Sequence, residues 1–69
     1  MVLITAYDTK GNECDNLGGF FVADTVEGRL VAKKIIKEND GVQYCKLDVY
    51  EKGYGSRLLA TSTVFNTRR

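Results

Sequence analysis

The sequence contains no histidine and only two cysteines. Histidine is the commonest general base and the commonest metal ligand, so its absence argues against most acid–base and metal-dependent catalysts. Cys14 and Cys45 lie far apart and lack CxxC spacing, which argues against a structural zinc site. We therefore expect a protein that is not an enzyme and that carries no metal or cofactor.

Three other sequence features lack the context that a reaction would need. The GxG at Gly53 and Gly55 precedes a predicted strand and not a helix, so a dinucleotide site is not expected. The acidic residues Asp8, Glu13 and Asp15 do not have the spacing of a calcium loop. The Ser and Thr residues near the end of the chain have no base to activate them. Solvated turn residues explain the acidic cluster better than a metal site does.

Long apolar runs and a strong charge imbalance are also missing. The formal net charge is +1, with 43% hydrophobic and 28% charged residues, which suits one small globular domain over residues 1–69. The first residues have no basic region, and their apolar run is too short for a signal peptide or a membrane span. We expect a cytoplasmic protein without membrane contact, with reduced thiols. A disulfide between Cys14 and Cys45 would require residues 13–19 to fold over the core.

Residues 24–39 form the one stretch with the length and periodicity of a helix that could close a small core. Asp24 is suited to the N-cap position, and Glu27 three residues later completes a capping box. Asn39 and Gly41 are expected to end the helix, because both tolerate the left-handed conformation. The rest of the chain is predicted to pack against this helix.

One face of the predicted helix gathers small and apolar side chains over roughly 140°, the width of a core-facing stripe. These residues are Thr25, Gly28, Val31, Ala32, Ile35 and Ile36. Glycine within a helix is destabilising by roughly 0.5–1 kcal/mol relative to alanine. Gly28 therefore predicts a close approach of the helix backbone to the sheet.

Four stretches have the composition of strands: residues 2–7, 20–23, 42–51 and 57–65. The last two are joined by a glycine-containing hairpin turn at residues 52–56. The sequence thus predicts an α+β fold, in which a single helix packs on a four-stranded, mainly antiparallel sheet in the order β-β-α-β-β. Residues 13–19 could form either a mobile loop or an irregular strand extension. Residues 66–69 are expected to form a frayed tail.

The register of the second hairpin decides which side chains share a face. A four-residue turn would place Val64 opposite Cys45 and Phe65 opposite Tyr44. We prefer this register because it sets small Ala60 and Ser62 on the helix side. In the third strand Cys45, Leu47 and Val49 are expected to lie under the helix. The opposite face of the sheet would then be solvated, be covered by residues 13–19, or meet a partner.

The outer helix face carries like charges one turn apart at Arg29, Lys33 and Lys37, with Leu30 between them. Like charges at this spacing oppose helix formation by roughly 0.2–0.5 kcal/mol per pair. A solvated face explains the pattern without any function. Alternatively, these residues form a contact surface for an anionic partner, with Leu30 as an apolar anchor. We include all four among the candidate partner-binding residues.

The outer sheet face carries Tyr44, Lys46 and Tyr50, which are also candidate partner-binding residues. Tyrosines could stack on bases while lysine contacts phosphates, so a DNA- or RNA-binding surface is possible here. However, Asp48 lies in the middle of this face, and the RNP sequence of an RNA-recognition motif is missing. Tyrosines that merely pair across a half-exposed sheet explain the pattern equally well.

From Gly19 onwards the chain has a short apolar strand, a helix containing VAKKII, and the alternating hairpin VQYCKLDVYEKGYGSRLLA. In size, element order and apolar pattern this part resembles small phage-encoded anti-CRISPR proteins, in particular a β-β-α-β-β inhibitor of type I-F systems. The resemblance rests on no diagnostic motif and assigns no individual site residue. It implies binding to the Cas proteins of a CRISPR surveillance complex, with basic residues occupying or bridging the DNA path.

Together these features predict a small non-catalytic binding protein of phage or mobile-element type. It would inhibit a host defence complex by stoichiometric binding and thereby block target DNA binding. The alternative is a small DNA- or RNA-binding domain that uses the basic helix face or the aromatic sheet face. The expected partner is a protein or ribonucleoprotein complex, with nucleic acid as the alternative, and the protein itself is expected to be a monomer or a homodimer.

Overall fold

The structure is a computed structural model that describes residues 1–51 and 57–67. Its elements are β1 (Val2–Asp8), β2 (Phe20–Val22), α1 (Thr25–Glu38), β3 (Val42–Tyr50) and β4 (Leu58–Phe65). The strands form one antiparallel sheet in the order β2-β1-β3-β4. The α+β prediction and its element order are confirmed. The predicted turn at 52–56 and the last two residues of the predicted tail lie outside the described residues.

The first strand lies inside the sheet, between β2 and β3. It pairs Val2 with Val22 on one side and with Val49 on the other. Val2, Ile4 and Ala6 alternate towards the helix and are almost completely buried. An interior position agrees with the apolar, β-branched composition of this strand.

The predicted register of the β3–β4 hairpin is confirmed, because Val64 lies opposite Cys45 and Phe65 lies opposite Tyr44. Ala60 and Ser62 lie opposite Val49 and Leu47, so they are on the helix side of the sheet as expected. However, the helix does not cover Ala60, which is exposed. Gly28 instead faces Val2 and neighbouring side chains of β2 and β3. One helix is too narrow to cover four strands, so it crosses the inner strands and leaves most of β4 uncovered.

The helix begins and ends at the predicted residues, but the conformation of its C-terminal cap differs from the expected one. The Asp24 carboxylate accepts a 2.8 Å hydrogen bond from the Glu27 N–H, while Glu27 accepts a 3.4 Å bond from the Ala23 N–H. At the other end Asn39 is extended, with φ −136°, and its side-chain amide donates to the Ile35 carbonyl at 2.8 Å. The expected left-handed ending is therefore wrong, because the Asn39 side chain satisfies a terminal carbonyl directly.

Residues 13–19 form an irregular extension that continues along β1 where β2 no longer pairs with it. Glu13 bridges to Tyr7, the Cys14 N–H donates to the Ala6 carbonyl at 2.8 Å, and the Gly19 N–H donates to the Ile4 carbonyl at 2.7 Å. Cys14 and Leu17 pack against the core on the helix side. The segment therefore does not supply its apolar side chains to the outer face of the sheet.

This extension brings the two cysteines into one row across β1. Cys14 lies on one side of Ala6 and Cys45 lies on the other. Two strand spacings separate their backbones by roughly 9–10 Å, whereas a disulfide usually needs about 4.4–6.8 Å between Cα atoms. Both cysteines are accordingly free thiols.

The core lies between the sheet and the inner face of α1. The helix contributes Gly28, Ala32 and Ile36, and the Cys45 sulfur lies 4.0 Å from the Ala32 carbonyl oxygen. Leu47 is completely buried and faces Gly28. As predicted, alternate residues of β3 lie under the helix. No helix within the described ranges has the length and apolar character needed to span a membrane.

Candidate functional site

The predicted binding residues fall on two opposite sides of the molecule. Arg29, Leu30, Lys33 and Lys37 are all exposed on the outer face of α1 and are called the basic stripe below. Leu30 has 65% of its surface exposed and is therefore accessible to a partner. Because α1 covers the other side of the sheet, one flat partner surface cannot contact this stripe and the outer sheet face together.

The outer sheet face carries a row of aromatic side chains across three strands. Tyr7, Tyr44 and Phe65 lie directly opposite one another, and they are called the aromatic row below. The Tyr7 and Tyr44 rings stack with centroids 4.9 Å apart at 14°, and the Tyr44 and Phe65 rings lie 6.0 Å apart at 46°. These contacts support the sheet. Phe65 still exposes 62% of its surface and offers an accessible apolar edge.

A second aromatic pair lies at the other end of the same face. Phe21 and Tyr50 meet edge to face with centroids 6.3 Å apart, and Phe21 is 53% exposed. Tyr44 and Tyr50, predicted as one surface, therefore belong to two separate aromatic groups. An extended ligand could contact both groups, but a single small ring could not.

Charged and polar side chains separate the two aromatic groups. The Lys46 ammonium lies 5.5 Å from the centre of the Tyr7 ring, within the range of a cation–π contact. The Thr61 hydroxyl donates a 3.0 Å hydrogen bond to the Asp48 carboxylate. A negative charge is thus fixed in the middle of the face, where a nucleic-acid backbone crossing it would be repelled.

A groove at the C-terminal end of β4, at the edge of the sheet, is lined by residues of the basic stripe and by one residue of the aromatic row. The groove has a volume of about 400 Å³ and is open on one side. Its lining residues are Lys33, Ile36, Lys37, Val64, Phe65, Asn66 and Thr67. It therefore combines two lysines of the basic stripe with apolar Ile36 and Val64 and with Phe65 of the aromatic row.

Asn66 builds one wall of this groove. Its N–H donates to the Gln43 carbonyl at 2.8 Å, and its side-chain amide donates to the Val42 carbonyl at 2.9 Å. These bonds continue the β3–β4 pairing one residue beyond the strand. The predicted fraying therefore does not begin at Asn66, and the groove has a fixed wall.

Two titratable groups outside these surfaces have raised pKa values. Burial raises the pKa of the Cys45 thiol to about 11, with a further contribution from the charge of Cys14. A hydrogen bond to Asp15 and its negative charge raise the pKa of Glu13. Within residues 1–51 and 57–67 no three acidic or cysteine side chains form a group that could hold a metal ion. The thiolate of Cys45 is accordingly scarce at neutral pH.

Sequence analysis missed Tyr7 and Phe21 as parts of the outer face. Their signal was present, because Leu3, Thr5 and Tyr7 alternate with the buried residues of β1, and Phe21 lies opposite Leu3. The nearly uniform apolar composition of residues 2–6 hid this alternation. No protein-family model, curated protein or solved structure matches the chain.

Proposed function

We propose that this is a small non-catalytic binding protein of phage or mobile-element type that inhibits a host defence complex by stoichiometric contact. It acts in the cytoplasm of a bacterial cell on a protein or ribonucleoprotein complex, in the manner of an anti-CRISPR protein that blocks target DNA binding. The observation that carries the proposal is the groove in which Lys33 and Lys37 meet Phe65.

This groove has the composition of a protein-binding surface. Interfaces combine aromatic anchors and basic residues around an apolar centre, and they exclude water from that centre. Here Ile36 and Val64 supply apolar lining, Phe65 adds an aromatic residue with 62% of its surface exposed, and the two lysines supply positive charge. A partner that presents carboxylates or phosphates around an apolar group would complement all three features.

The remaining part of the basic stripe extends this contact along the helix. Leu30 is exposed between Arg29 and Lys33, so an apolar anchor lies within a positively charged rim. When this protein is bound to a surveillance complex, the stripe would occupy the positions of the complex that otherwise contact the target DNA. The resemblance to type I-F inhibitors in size and element order supports this mode of action.

The test is an affinity pull-down from bacterial host lysate with and without nuclease. We expect a defined protein complex that survives nuclease and that is lost for Lys37→Glu. Lys10→Glu is the matched control, because Lys10 is exposed but lies in the turn after β1, away from α1. If the two variants recover the complex equally well, the basic stripe is not the contact surface. If nuclease removes every partner, the inhibitor proposal is wrong.

A second candidate function is single-stranded DNA or RNA binding by the outer sheet face. The specific observation in its favour is the stack of Tyr7 and Tyr44 with Lys46 beside it, since aromatic platforms flanked by cations bind unpaired bases. A salt titration of oligonucleotide binding separates the two functions, because phosphate contacts weaken log-linearly with salt. We would expect Asp48→Asn to strengthen such binding by removing the central negative charge.

A further inference from the structure

The free edge of β4 presents backbone hydrogen-bonding groups that no described strand occupies. β4 is the last strand of the sheet, and its Asn66 N–H points towards β3. Backbone groups alternate in direction along a strand. The N–H and C=O groups of Thr61, Thr63 and Phe65 therefore point away from β3, into solvent. This edge is a template for one more strand.

Sheet edges are usually protected against such pairing. Charged side chains, proline, very short strands and bulges are the common protections. The segment Leu58–Phe65 has the sequence LLATSTVF, without a charge, a proline or a glycine. One bulge lies near its start, where the pairing shifts between Val49 and Tyr50. The part of β4 from Thr61 onwards is regular and unprotected.

The lysines of the groove determine what kind of strand fits beside this edge. An added strand would alternate its side chains between the two faces of the sheet. Residues opposite Thr63 and Phe65 would face the aromatic side, and the residues between them would lie on the helix side, beside Lys33 and Lys37. No carboxylate lines this groove. Acidic side chains at alternate positions would supply the missing counter-charge.

A second copy of this protein would fit the edge less well than an acidic peptide. Pairing β4 with β4 would satisfy the backbone groups, because an antiparallel pair centred on Thr63 is self-complementary. However, β4 carries no carboxylate to set against Lys33 and Lys37. Backbone hydrogen bonding would allow either a second copy or an acidic peptide to pair with β4. The positive charge of Lys33 and Lys37 favours the acidic peptide.

We propose that the β4 edge binds an extended acidic segment of the partner by strand addition, with alternate carboxylates on Lys33 and Lys37. This inference rests on the proposed function and specifies the partner chemistry of its binding groove. Main-chain hydrogen bonds to Thr61, Thr63 and Phe65 supply affinity, and the charge pattern supplies specificity. The partner's apolar residues at the intervening positions pack near the Phe65 ring.

The test measures fluorescence anisotropy of a labelled peptide of alternating valine and glutamate, titrated with the full-length protein. The control peptide replaces every glutamate by lysine. We expect saturable binding of the acidic peptide only. The variant Lys33→Glu/Lys37→Glu should weaken binding about tenfold or more, since exposed ion pairs each contribute up to roughly 1 kcal/mol and the reversal adds repulsion. Lys10→Glu, in the exposed turn after β1 and away from α1, should leave binding unchanged.

A backbone substitution tests the strand addition itself. Thr63→Pro removes an outward N–H without removing a β3–β4 hydrogen bond, and proline is tolerated at such edge positions. We expect this variant to abolish peptide binding. If it does not fold, a peptide N-methylated at alternate residues tests the same contact on the unaltered protein. Binding that survives both N-methylated registers or Thr63→Pro overturns the proposal, as does equal binding of the lysine peptide.

Three further outcomes separate this inference from the proposed function. A concentration-dependent dimer of the free protein that Thr63→Pro abolishes would show that a second copy occupies the edge, and would overturn the acidic-peptide proposal. A nuclease-resistant partner complex that Thr63→Pro still recovers would retain the proposed function and reject the edge as its binding site. Peptide binding without any recovered host complex would reject the inhibitor function alone.

Discussion

Replacing Gly28 by alanine should stabilise the protein. Gly28 is buried in the first turns of α1, and a methyl group built there would lie 3.5 Å from Val2 and Val22 and 3.6 Å from Leu47. These are ordinary van der Waals distances to side chains, so the methyl group fills space without a clash. The substitution also removes the conformational entropy penalty of glycine in a helix, about 0.5–1 kcal/mol.

We therefore expect Gly28→Ala to raise the free energy of unfolding by about 1 kcal/mol, once the small gain from the buried methyl group is included. For a domain of this size that corresponds to a rise in melting temperature of roughly 4–8 °C. Thermal unfolding followed by far-UV circular dichroism measures the change. A lower melting temperature would refute the reasoning, because it would mean that α1 lies closer to the sheet than these distances allow.

Gly18→Ala is the matched comparison, because it adds the same methyl group at a position without space. A Cβ at Gly18 would lie 2.8 Å from the Ala6 nitrogen and 3.1 Å from the Thr5 Cα, both of which are backbone atoms of β1. Backbone in the middle of a sheet cannot move aside as a side chain can. The melting temperature should fall for this variant while it rises for Gly28→Ala.

Three further predictions concern the cap, the buried thiol and the aromatic row. Asp24→Ala should lower the free energy of unfolding by about 1 kcal/mol in denaturant titrations, whereas Asp24→Asn keeps the cap. Burial raises the pKa of the Cys45 thiol from 9.0 to about 11, so stability should fall as pH rises between these values, and the fall should be smaller in Cys45→Ala. Alanine variants of Tyr7 and Tyr44 should show a coupling energy of about 0.5–1.5 kcal/mol in a double-mutant cycle, and additive effects would contradict the stacking.

Local signals in the sequence were sufficient to predict the element order and the hairpin register. Asp24 and Glu27 marked the helix start because capping depends on residues within one turn, and alternation along β3 placed Cys45 and Leu47 under the helix. The lateral position of α1 over the sheet was not predictable in the same way. It depends on which strands lie in the centre, and the order β2-β1-β3-β4 is a non-local property.

The candidate site shows the same division between local and non-local information. Sequence periodicity placed Lys33 and Lys37 on the exposed helix face, and it placed Tyr44 on the outer sheet face. It could not show that Phe65 joins these lysines in one groove, because that contact requires the crossing angle of α1 relative to β4. The sequence does not predict the irregular pairing of residues 13–19 along β1 either, because this pairing depends on backbone hydrogen bonds and not on a side-chain pattern.

Exposed aromatic surface in a chain this short is not by itself a sign of function. A small domain buries only about 60% of the surface of its unfolded chain, and a single helix can cover only one face of a sheet. Tyr7, Tyr44 and Phe21 would therefore be partly exposed even if they served only to hold neighbouring strands together. The β4 edge is different, because the small size of the domain does not require β4 to lack charged residues or to lie beside Lys33 and Lys37. Because the small size of the domain does not explain those two features, variants at Thr63 and Lys33 are more informative about function than variants of the aromatic rings.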